Sequence, residues 1–295
     1  MEHKKKGNIE KKIMQNGIVL MICASFIFSV LGALVKHLGQ EIPAMEIVFL
    51  RSLFSFLIIL PVIFCHNMCL ETDQKRFLIL RGLSGFCAFS LFYYAITKVH
   101  LTKVSVIMQT RPFVVMILAH FFLKERLTSK ELRLVIISFI GVLLLIKPNR
   151  AIAGMNIDMV SLACVMGVFF AATSAVLVKH VTQSVSSVCI IFYFMLVSTI
   201  CSTPFVVSSF IVPATKQTII IIVITILSLV AQWLMTEAIR FSKTTIAMVV
   251  GYTSVIFSTF WELLFWHTPP DLFTIGGAVL VGISVILMAR SKTSA

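Results

Sequence analysis

The sequence predicts an all-α integral membrane protein in which ten transmembrane helices form two inverted repeats of five helices. Three observations support this prediction. Of the 295 residues, 59% are hydrophobic and only 13% are charged, and the mean hydropathy is +1.02, which is far more apolar than a soluble domain. The apolar residues fall into ten long segments, and the second half of the chain repeats features of the first.

Each apolar segment has a length suited to a lipid bilayer, because a spanning helix needs about 20 predominantly apolar residues. The predicted spans are residues 14–36, 43–65, 76–97, 102–123, 130–147, 155–178, 186–210, 217–239, 244–265 and 271–290. The linkers between them leave no room for a soluble domain. We therefore expect a basic N-terminal segment (1–13), a first five-helix repeat (14–147), a linker (148–154), a second repeat (155–290) and a tail (291–295).

The net charge of +13 is distributed unevenly along the predicted topology. With the N-terminus in the cytoplasm, most Lys and Arg residues fall on the cytoplasmic side, and Arg51 and Arg111 lie within helices. The basic residues expected on the opposite side are Lys36, Lys98, Lys103, Lys147, Arg150 and Lys216. This bias fits the positive-inside rule with both termini cytoplasmic in a cell inner membrane. We attribute the basic excess to topology and to anionic membrane lipid, and not to nucleic acid.

Seven cysteines are scattered over the chain without a CxxC pair. We interpret them as small core residues and not as a disulfide or zinc framework. No cluster of His, Asp or Glu has metal-ligand spacing, and no GxxxxGK[ST] pattern is present. The sequence therefore predicts no catalytic residue, no metal and no cofactor, and it argues against ATP-driven pumping by this chain alone.

An internal repeat relates the two halves at an offset of 143 positions. Residues 33–40 read ALVKHLGQ and residues 176–183 read VLVKHVTQ, with five identities in eight, and Ala95-Ile96 corresponds to Ala238-Ile239. One offset that holds across three helix pairs indicates a true repeat. Because each unit has an odd number of spans, the second copy must cross the membrane in the opposite sense. This arrangement is typical of alternating-access carriers, whose site lies between the two halves.

The fourth predicted span, 102–123, carries Gln109, Arg111, Pro112 and His120 within apolar sequence. A guanidinium at the centre of a membrane costs about 3 kcal/mol even on insertion scales, so it indicates function. Gln109 and His120 fall on one helix face and Arg111 on the other. Pro112 is the hinge candidate, because a kink would bring both faces to one path. Gln109 would orient a solute and Arg111 would bind a carboxylate or phosphate, and a structural role for Arg111 is the alternative.

The predicted substrate site includes further residues. Ser29, Gly32 and Tyr94 belong to the first half, and Tyr252 stands in the second half at the position equivalent to Gln109. Ser29 and Gly32 belong to a small polar stripe on the first helix, suited to a cavity or to close helix packing. Tyr94 could cap a solute pocket, or it belongs to an aromatic belt near the membrane surface. Tyr252 occupies the position equivalent to Gln109, where it could stack on the solute or form a hydrogen bond with it.

Two carboxylates in the second half are candidates for ion coupling. Glu237 stands where the first half has Tyr94, and Glu262 lies in the ninth predicted span. A carboxylate at membrane depth is costly unless it is paired or protonated, so we expect Glu237 to bind a proton or an amine and Glu262 to act in coupling. The alternatives are a simple pair between Glu237 and Arg240, and a surface position for Glu262 beside His267.

These segments resemble the EamA family of the drug/metabolite transporter superfamily. The resemblance covers about residues 15–290, and it is carried by RGLSGFCAFSLFYYAI, QTRPFVV, FFLKERLT and FIGVLLLIKP. It implies two inverted five-helix bundles around a central cavity and secondary transport of small organic solutes. Pro112 and Glu125 match the helix-4 proline and the Glu of its terminal Gly-Glu, while Lys124 replaces the glycine. A subgroup of S-adenosylmethionine uptake carriers is similar from the fourth helix into the fifth.

The sequence as a whole predicts a secondary carrier that moves a small polar metabolite, amino-acid-like or nucleoside-like, by alternating access. Uptake of S-adenosylmethionine in particular is the narrower alternative. A membrane-embedded enzyme acting on lipid and a non-transporting scaffold are the rival classes. The expected partners are a small-molecule solute and membrane lipid, and the chain is expected to be a monomer or a homodimer.

Overall fold

The structure is a computed structural model that describes residues 2–39, 41–65, 72–98, 107–146, 159–207, 210–266 and 272–290. Every secondary-structure element among these residues is a helix. The helices are α1 (Glu2–Leu38), α2 (Ala44–Cys65), α3 (Lys75–Lys98), α4 (Arg111–Leu123), α5 (Ser129–Ile146), α6 (Met159–Val181), α7 (Ser187–Val206), α8 (Thr215–Phe241), α9 (Thr244–Val250), α10 (Thr253–Trp266) and α11 (Leu272–Arg290). The all-helical class predicted from composition is confirmed.

Six segments of the described chain are long and apolar enough to cross a membrane. They are Asn16–Val35, Ala44–Phe64, Leu162–Val181, Ser187–Val206, Thr215–Phe241 and Thr244–Trp261. Shorter apolar helices lie at Arg111–Leu123 and Ile275–Arg290. The chain is therefore a multi-pass membrane protein. The first helix also extends well beyond its predicted start at residue 14, back to Glu2.

The fourth predicted span is not one continuous helix. Gln109 and Thr110 form a turn, and α4 begins at Arg111. Backbone hydrogen bonds of the i→i+3 type mark the turn: Thr110 N donates to Ile107 O and Phe113 N donates to Thr110 O, both at 3.0 Å. Pro112 therefore lies in the first turn of α4, where its missing N–H removes no helical hydrogen bond. The expected kink within a helix is replaced by a break just before the proline.

The ninth predicted span is broken in the same way. Gly251 and Tyr252 form a turn between α9 and α10, with hydrogen bonds from Tyr252 N to Val249 O and from Val255 N to Tyr252 O at 3.0 Å. Gly251 is needed here, because a Cβ on this residue would lie 2.9 Å from Met248 O and 3.0 Å from Met21 Cε. The two breaks thus occupy corresponding places in the two halves of the chain.

The closest helix packing joins the two halves and not neighbours in sequence. The main pairs are α3 with α6, α1 with α8, α5 with α11, α2 with α7, α3 with α7, α4 with α6, α1 with α10, α2 with α8 and α4 with α9. Exchanging each helix with its counterpart five predicted spans later reproduces the same set. The largest core cluster accordingly draws its residues from both halves, and all seven residues of α9 are buried.

One expectation about the cysteines is wrong. Cys189, in the first turn of α7, is disulfide-bonded, and its partner lies outside the described side chains. Cys23, Cys87 and Cys201 are free thiols, and Cys23 is exposed and not in the core. The sequence pattern missed the bond because the scattered cysteines have no spacing that indicates a pairing.

Candidate functional site

The two helix breaks meet inside the bundle. The Tyr252 hydroxyl donates a 2.6 Å hydrogen bond to the backbone oxygen of Gln109, and the Tyr252 side chain is 1% exposed. The carbonyl at a helix break has no partner within its own helix, so a side chain from the other broken helix supplies one. The sequence prediction paired Gln109 and Tyr252 as equivalents, and the structure brings them into contact.

Arg111 lies at this junction, as the first residue of α4. It lies close enough to Tyr252 for an electrostatic interaction. Among the described residues, no hydrogen-bond acceptor or carboxylate pairs with its guanidinium. The N-terminus of α4 has no side-chain cap, since the Thr110 hydroxyl donates instead to Ile107 O at 2.6 Å. The helix end and the guanidinium together form an electropositive place next to the breaks.

Ser29 and Gly32, the residues of the small polar stripe predicted on the first helix, lie in different environments in the structure. Ser29 is buried, donates to Phe26 O at 2.7 Å and accepts a 2.9 Å hydrogen bond from Trp261 Nε1 on α10. Gly32 is exposed, and a Cβ there would meet nothing within 4 Å. Tyr94 on α3 is 47% exposed. Ser29 therefore links α1 to the second broken helix, whereas Gly32 and Tyr94 are exposed.

Glu237 pairs with Arg240. This pair was the structural alternative to a role for Glu237 in binding a proton or an amine. Its carboxylate lies 3.0 Å from the Arg240 guanidinium, and the Ser187 hydroxyl donates to it at 2.6 Å. Arg240 also donates to the backbone oxygens of Thr182 and Val185 at 3.1 and 2.8 Å. These contacts join the end of α8 to the connection between α6 and α7. The side chain of Glu262 lies outside the described residues.

A polar end cluster, defined by Glu125, Glu131, Lys179 and Lys243, lies where α4, α6 and α8 end and α5 and α9 begin. Glu125 accepts from Thr244 N at 3.1 and 3.0 Å and from the Thr244 hydroxyl at 2.9 Å, and it thereby caps the start of α9. The end of α4 therefore meets the start of α9. Lys124, between α4 and Glu125, has a left-handed backbone with φ 56°, the conformation that favours glycine.

Glu131, Lys179 and Lys243, the remaining members of the polar end cluster, also form hydrogen bonds or ion pairs. Glu131 is 1% exposed, accepts from Thr128 N at 2.7 Å in a capping box, and forms a 3.0 Å ion pair with Lys243. Lys179 donates to the backbone oxygens of Ile239, Arg240 and Ser242 at 2.7 to 3.1 Å. The carbonyl groups at the C-terminus of α8 therefore bind the ammonium group of Lys179, and the helix dipole favours a positive charge at this end.

The sequence prediction did not include Glu131, Lys179 and Lys243. Two signals were present: Thr128 to Glu131 follows the T-x-x-E capping-box pattern, and Lys179 belongs to the repeated VLVKHVTQ segment. Neither signal indicates which distant residues Glu131 and Lys179 contact. Among the described residues, no group of three or more His, Cys, Asp or Glu residues could hold a metal ion.

A bundle of apolar helices defines a multi-pass membrane protein, and two helices interrupted at corresponding places that meet in the interior are typical of membrane transporters. The chain belongs to the EamA-like transporter family, whose model matches residues 15–147 and again residues 159–290. The resemblance noted from the sequence motifs is thereby confirmed. Because the relatives are named as transporters of small molecules, the protein transports small molecules, and the relatives point away from an enzyme.

Three similar proteins indicate the breadth of the family. The chain is 31% identical to the pseudopaline exporter CntI of Pseudomonas aeruginosa, over 95% of this chain and 98% of that protein. It is 26% identical to human solute carrier family 35 member G1, over 94% and 79%. It is 24% identical to the S-adenosylmethionine uptake transporter of Rickettsia prowazekii, over 95% of each.

A solved crystal structure shares the fold. It superposes with a TM-score of 0.78 at 13% identity, covering 93% of this chain and 99% of that one. At this identity the likeness shows the fold alone.

Proposed function

We propose that the protein is a secondary carrier of the cell inner membrane that moves a small polar metabolite by alternating access between two inverted five-helix repeats. The observation that carries this proposal is the contact between the two helix breaks through Tyr252 and Gln109. Carriers built from inverted repeats place their sites where interrupted helices meet, because a break frees backbone groups and a helix end for the solute.

The direction of the helices supports the inverted arrangement. The end of the fourth predicted span, at α4, meets the start of its counterpart, the ninth predicted span, at α9, through Glu125 and Thr244, as expected if the two copies run in opposite senses. The packing pattern supports the repeat as well, because exchanging the two halves leaves it unchanged. Residues 14–147 and 155–290 remain our proposed repeats.

The orientation follows from charge. The polar end cluster lies among Lys124, Arg126, Lys130, Arg133 and Arg240, all on the side with the basic excess. The positive-inside rule therefore favours placing this end, and both termini, in the cytoplasm. In that orientation the polar end cluster closes the cytoplasmic end of the pathway.

The solute site centres on Arg111, with Tyr252 and Gln109 beside it, and Pro112 starts the half-helix that carries Arg111. Arg111 would bind a carboxylate or phosphate, because its guanidinium has no partner among the described residues and lies next to a helix N-terminus. Ser29 would hold the second broken helix in place through Trp261. The contacts of Glu237 support its structural alternative, so Glu262 is our candidate for ion coupling.

Uptake into proteoliposomes tests the function. The purified protein is reconstituted, and accumulation or exchange is measured for pseudopaline, S-adenosylmethionine and a panel of amino acids and nucleosides. We expect at least one solute to move, faster than in liposomes without protein. If none moves while the reconstituted protein remains folded, the carrier assignment fails. Preference for S-adenosylmethionine over the panel would establish the narrower alternative.

Two variants test the site in the same assay. We expect Arg111→Ala to weaken the apparent affinity by about tenfold or more, since it removes a charge-assisted contact. Glu237→Gln should leave affinity and pH dependence unchanged if the contact with Arg240 is structural. Lys216→Ala, an exposed position at the start of α8, is the matched control. Unchanged affinity in Arg111→Ala would remove Arg111 from the site.

A further inference from the structure

Hydrogen bonds in the polar end cluster join the two halves of the chain. Lys243, between α8 and α9, donates to Glu131 Oε1 and Oε2 at 3.1 and 3.0 Å and to the backbone oxygen of Arg126 at 3.0 Å. Thr244, the first residue of α9, donates its N–H to both carboxylate oxygens of Glu125 at 3.1 and 3.0 Å. These hydrogen bonds, the gate contacts, hold the end of α4 and the start of α5 against the start of α9.

The gate contacts are largely shielded from water. Glu131 and Thr244 are buried, and the Lys243 side chain is 17% exposed. Water screens an ion pair less at such a place than at a surface, so the pair interacts more strongly. Separation of the halves at this end would leave the Glu131 carboxylate without its cation and the Thr244 N–H without its acceptor, and both losses cost free energy. The gate contacts therefore stabilise the closed arrangement.

Two short helices connect the gate contacts to the proposed solute site. α4 begins at Arg111, in the site, and ends just before Glu125. α9 begins at Thr244, in the gate contacts, and ends just before Tyr252. The two helices pack against each other, and at 1.5 Å per residue they are about 20 and 10 Å long. Each of them therefore has one end at the site and the other end at the gate contacts.

Both helices are held by the core along their length. All seven residues of α9 are buried, and α4 buries Pro112, Val115 and Ala119. A closely packed interior changes between discrete arrangements and does not deform smoothly. A displacement at the solute-site end of this helix pair is therefore transmitted to the gate contacts.

The junction of the helix breaks is the second place where this helix pair is joined. The Tyr252 hydroxyl donates to Gln109 O at 2.6 Å and lies close enough to Arg111 for an electrostatic interaction. A carboxylate or phosphate bound by Arg111 is a stronger acceptor than a carbonyl, because charge-assisted hydrogen bonds are about twice as strong as neutral ones. The bound anion would accept the Tyr252 hydroxyl in place of Gln109. The hydrogen bond that joins the two breaks would then be lost.

We propose that the gate contacts close the cytoplasmic end of the carrier, and that an acidic solute bound at Arg111 weakens them through α4 and α9. Glu125, Glu131, Lys243 and Thr244 are then positioning residues for transport, since they act on the opening of the pathway and not on the solute. This proposal rests on the carrier function and on Arg111 as its solute site. It adds an order of events, in which solute binding precedes opening to the cytoplasm.

Hydrogen–deuterium exchange at the Thr244 amide tests the proposal, because this N–H exchanges only when it leaves the Glu125 carboxylate. The wild-type protein in nanodiscs is measured with and without the member of the uptake panel (pseudopaline, S-adenosylmethionine, an amino acid or a nucleoside) that moves fastest. We expect this solute to speed exchange at Thr244 by about fivefold, the factor that the loss of one hydrogen bond gives. In Arg111→Ala the same solute should leave the exchange rate unchanged.

Two Glu→Gln variants separate the gate contacts from other carboxylates at this end of the bundle. Glu125→Gln keeps one acceptor for Thr244 but removes the charge, so we expect exchange at Thr244 to be about fivefold faster without solute. Glu237→Gln is the matched control, because Glu237 pairs with Arg240 and Ser187 within the second half. It should leave exchange at Thr244 unchanged. Equal effects of the two variants would overturn the assignment of Glu125 to a gate.

Tyr252→Phe imitates the proposed effect of the solute. The variant releases the Gln109 carbonyl, so exchange at Thr244 should be about fivefold faster without any solute. Exchange in α7 and the unfolding midpoint are measured alongside, because a gate effect should be confined to α4, α5 and α9. If exchange in α7 rises by the same factor, the variant has lost global stability and the gate assignment fails.

The carrier function and the gate fail separately. If the wild-type protein moves no solute, the carrier function fails. If it transports a solute that leaves exchange at Thr244 unchanged, the gate alone fails. Faster exchange that persists in Arg111→Ala would show that the solute acts from another place, and a neutral nucleoside as the only transported solute would contradict the role of an acidic group.

Discussion

The polar end cluster and the interior of the bundle differ in how buried charge is satisfied. In the cluster, Glu125 and Glu131 each accept several hydrogen bonds, and Lys179 binds three carbonyl groups. In the interior, Arg81 has one hydrogen bond, at 3.5 Å to Gln232, and stacks on the Phe194 ring, and Arg111 has no hydrogen-bond or ion-pair partner among the described residues. The charges at the helix ends are thus satisfied by partners within the fold, whereas Arg81 and Arg111 make few polar contacts with the described residues. Substitutions in the first region should change stability, and those in the second should change transport.

The largest expected loss of stability follows from Glu131→Ala. The substitution removes a buried carboxylate from its ion pair with Lys243 and from the capping box at the start of α5. We expect the free energy of unfolding to fall by about 3 kcal/mol, measured as an unfolding midpoint by tryptophan fluorescence in detergent. Glu131→Gln, which keeps an acceptor for Thr128, should lose less. A loss below about 1 kcal/mol would mean that the cluster contributes no more than a surface pair.

Lys179→Met should have the next largest effect. The variant keeps the length of the side chain but leaves the carbonyl oxygens of Ile239, Arg240 and Ser242 without their shared donor. We expect a loss of about 2 kcal/mol in the same measurement. Lys216→Met, an exposed lysine in the first turn of α8, serves as the control and should be neutral. Equal effects of the two substitutions would contradict the role of Lys179 as a helix cap.

Tyr252→Phe tests the junction of the helix breaks. It removes one hydroxyl and leaves the Gln109 carbonyl without its donor, so we expect a loss of about 1 kcal/mol. Because the hydroxyl joins the two broken helices, uptake should fall by more than this small loss of stability explains. Tyr193→Phe, on α7, is the matched control. Unchanged uptake in Tyr252→Phe would separate the breaks from the transport pathway.

The smallest expected effect is a gain in stability. Lys124→Gly places glycine at the one non-glycine residue with positive φ in the described chain, and we expect stability to rise by about 0.5 kcal/mol. Lys130→Gly, in the first turn of α5, should instead lower stability by about 1 kcal/mol. A loss in Lys124→Gly would indicate that the lysine side chain contributes contacts beyond its backbone conformation.

Much of the fold could be predicted because hydropathy and repeats are local properties of the chain. The helical class, the approximate positions of the helices and the match to the EamA family follow from segment length and from motifs such as QTRPFVV. Only part of the arrangement of the candidate site residues could be predicted from the sequence. Gln109, Arg111 and Tyr252 do lie together, whereas Tyr94 and Gly32 are exposed, and Glu237 is held by Arg240 and Ser187 at a helix connection.

By itself, the sequence determined that the chain lies in a membrane as apolar helices, because about 20 apolar residues in succession can satisfy their backbone groups only within a helix there. It also indicated the family, whose model matches residues 15–147 and 159–290. The tertiary structure alone decided where two of those helices break and which charges find partners. Gly251 lies at one break, where a Cβ would come too close to Met21 of α1 and to the Met248 carbonyl. Glu125 caps a helix more than a hundred residues away. Such contacts depend on which helices pack together, and no local pattern in the sequence records that choice.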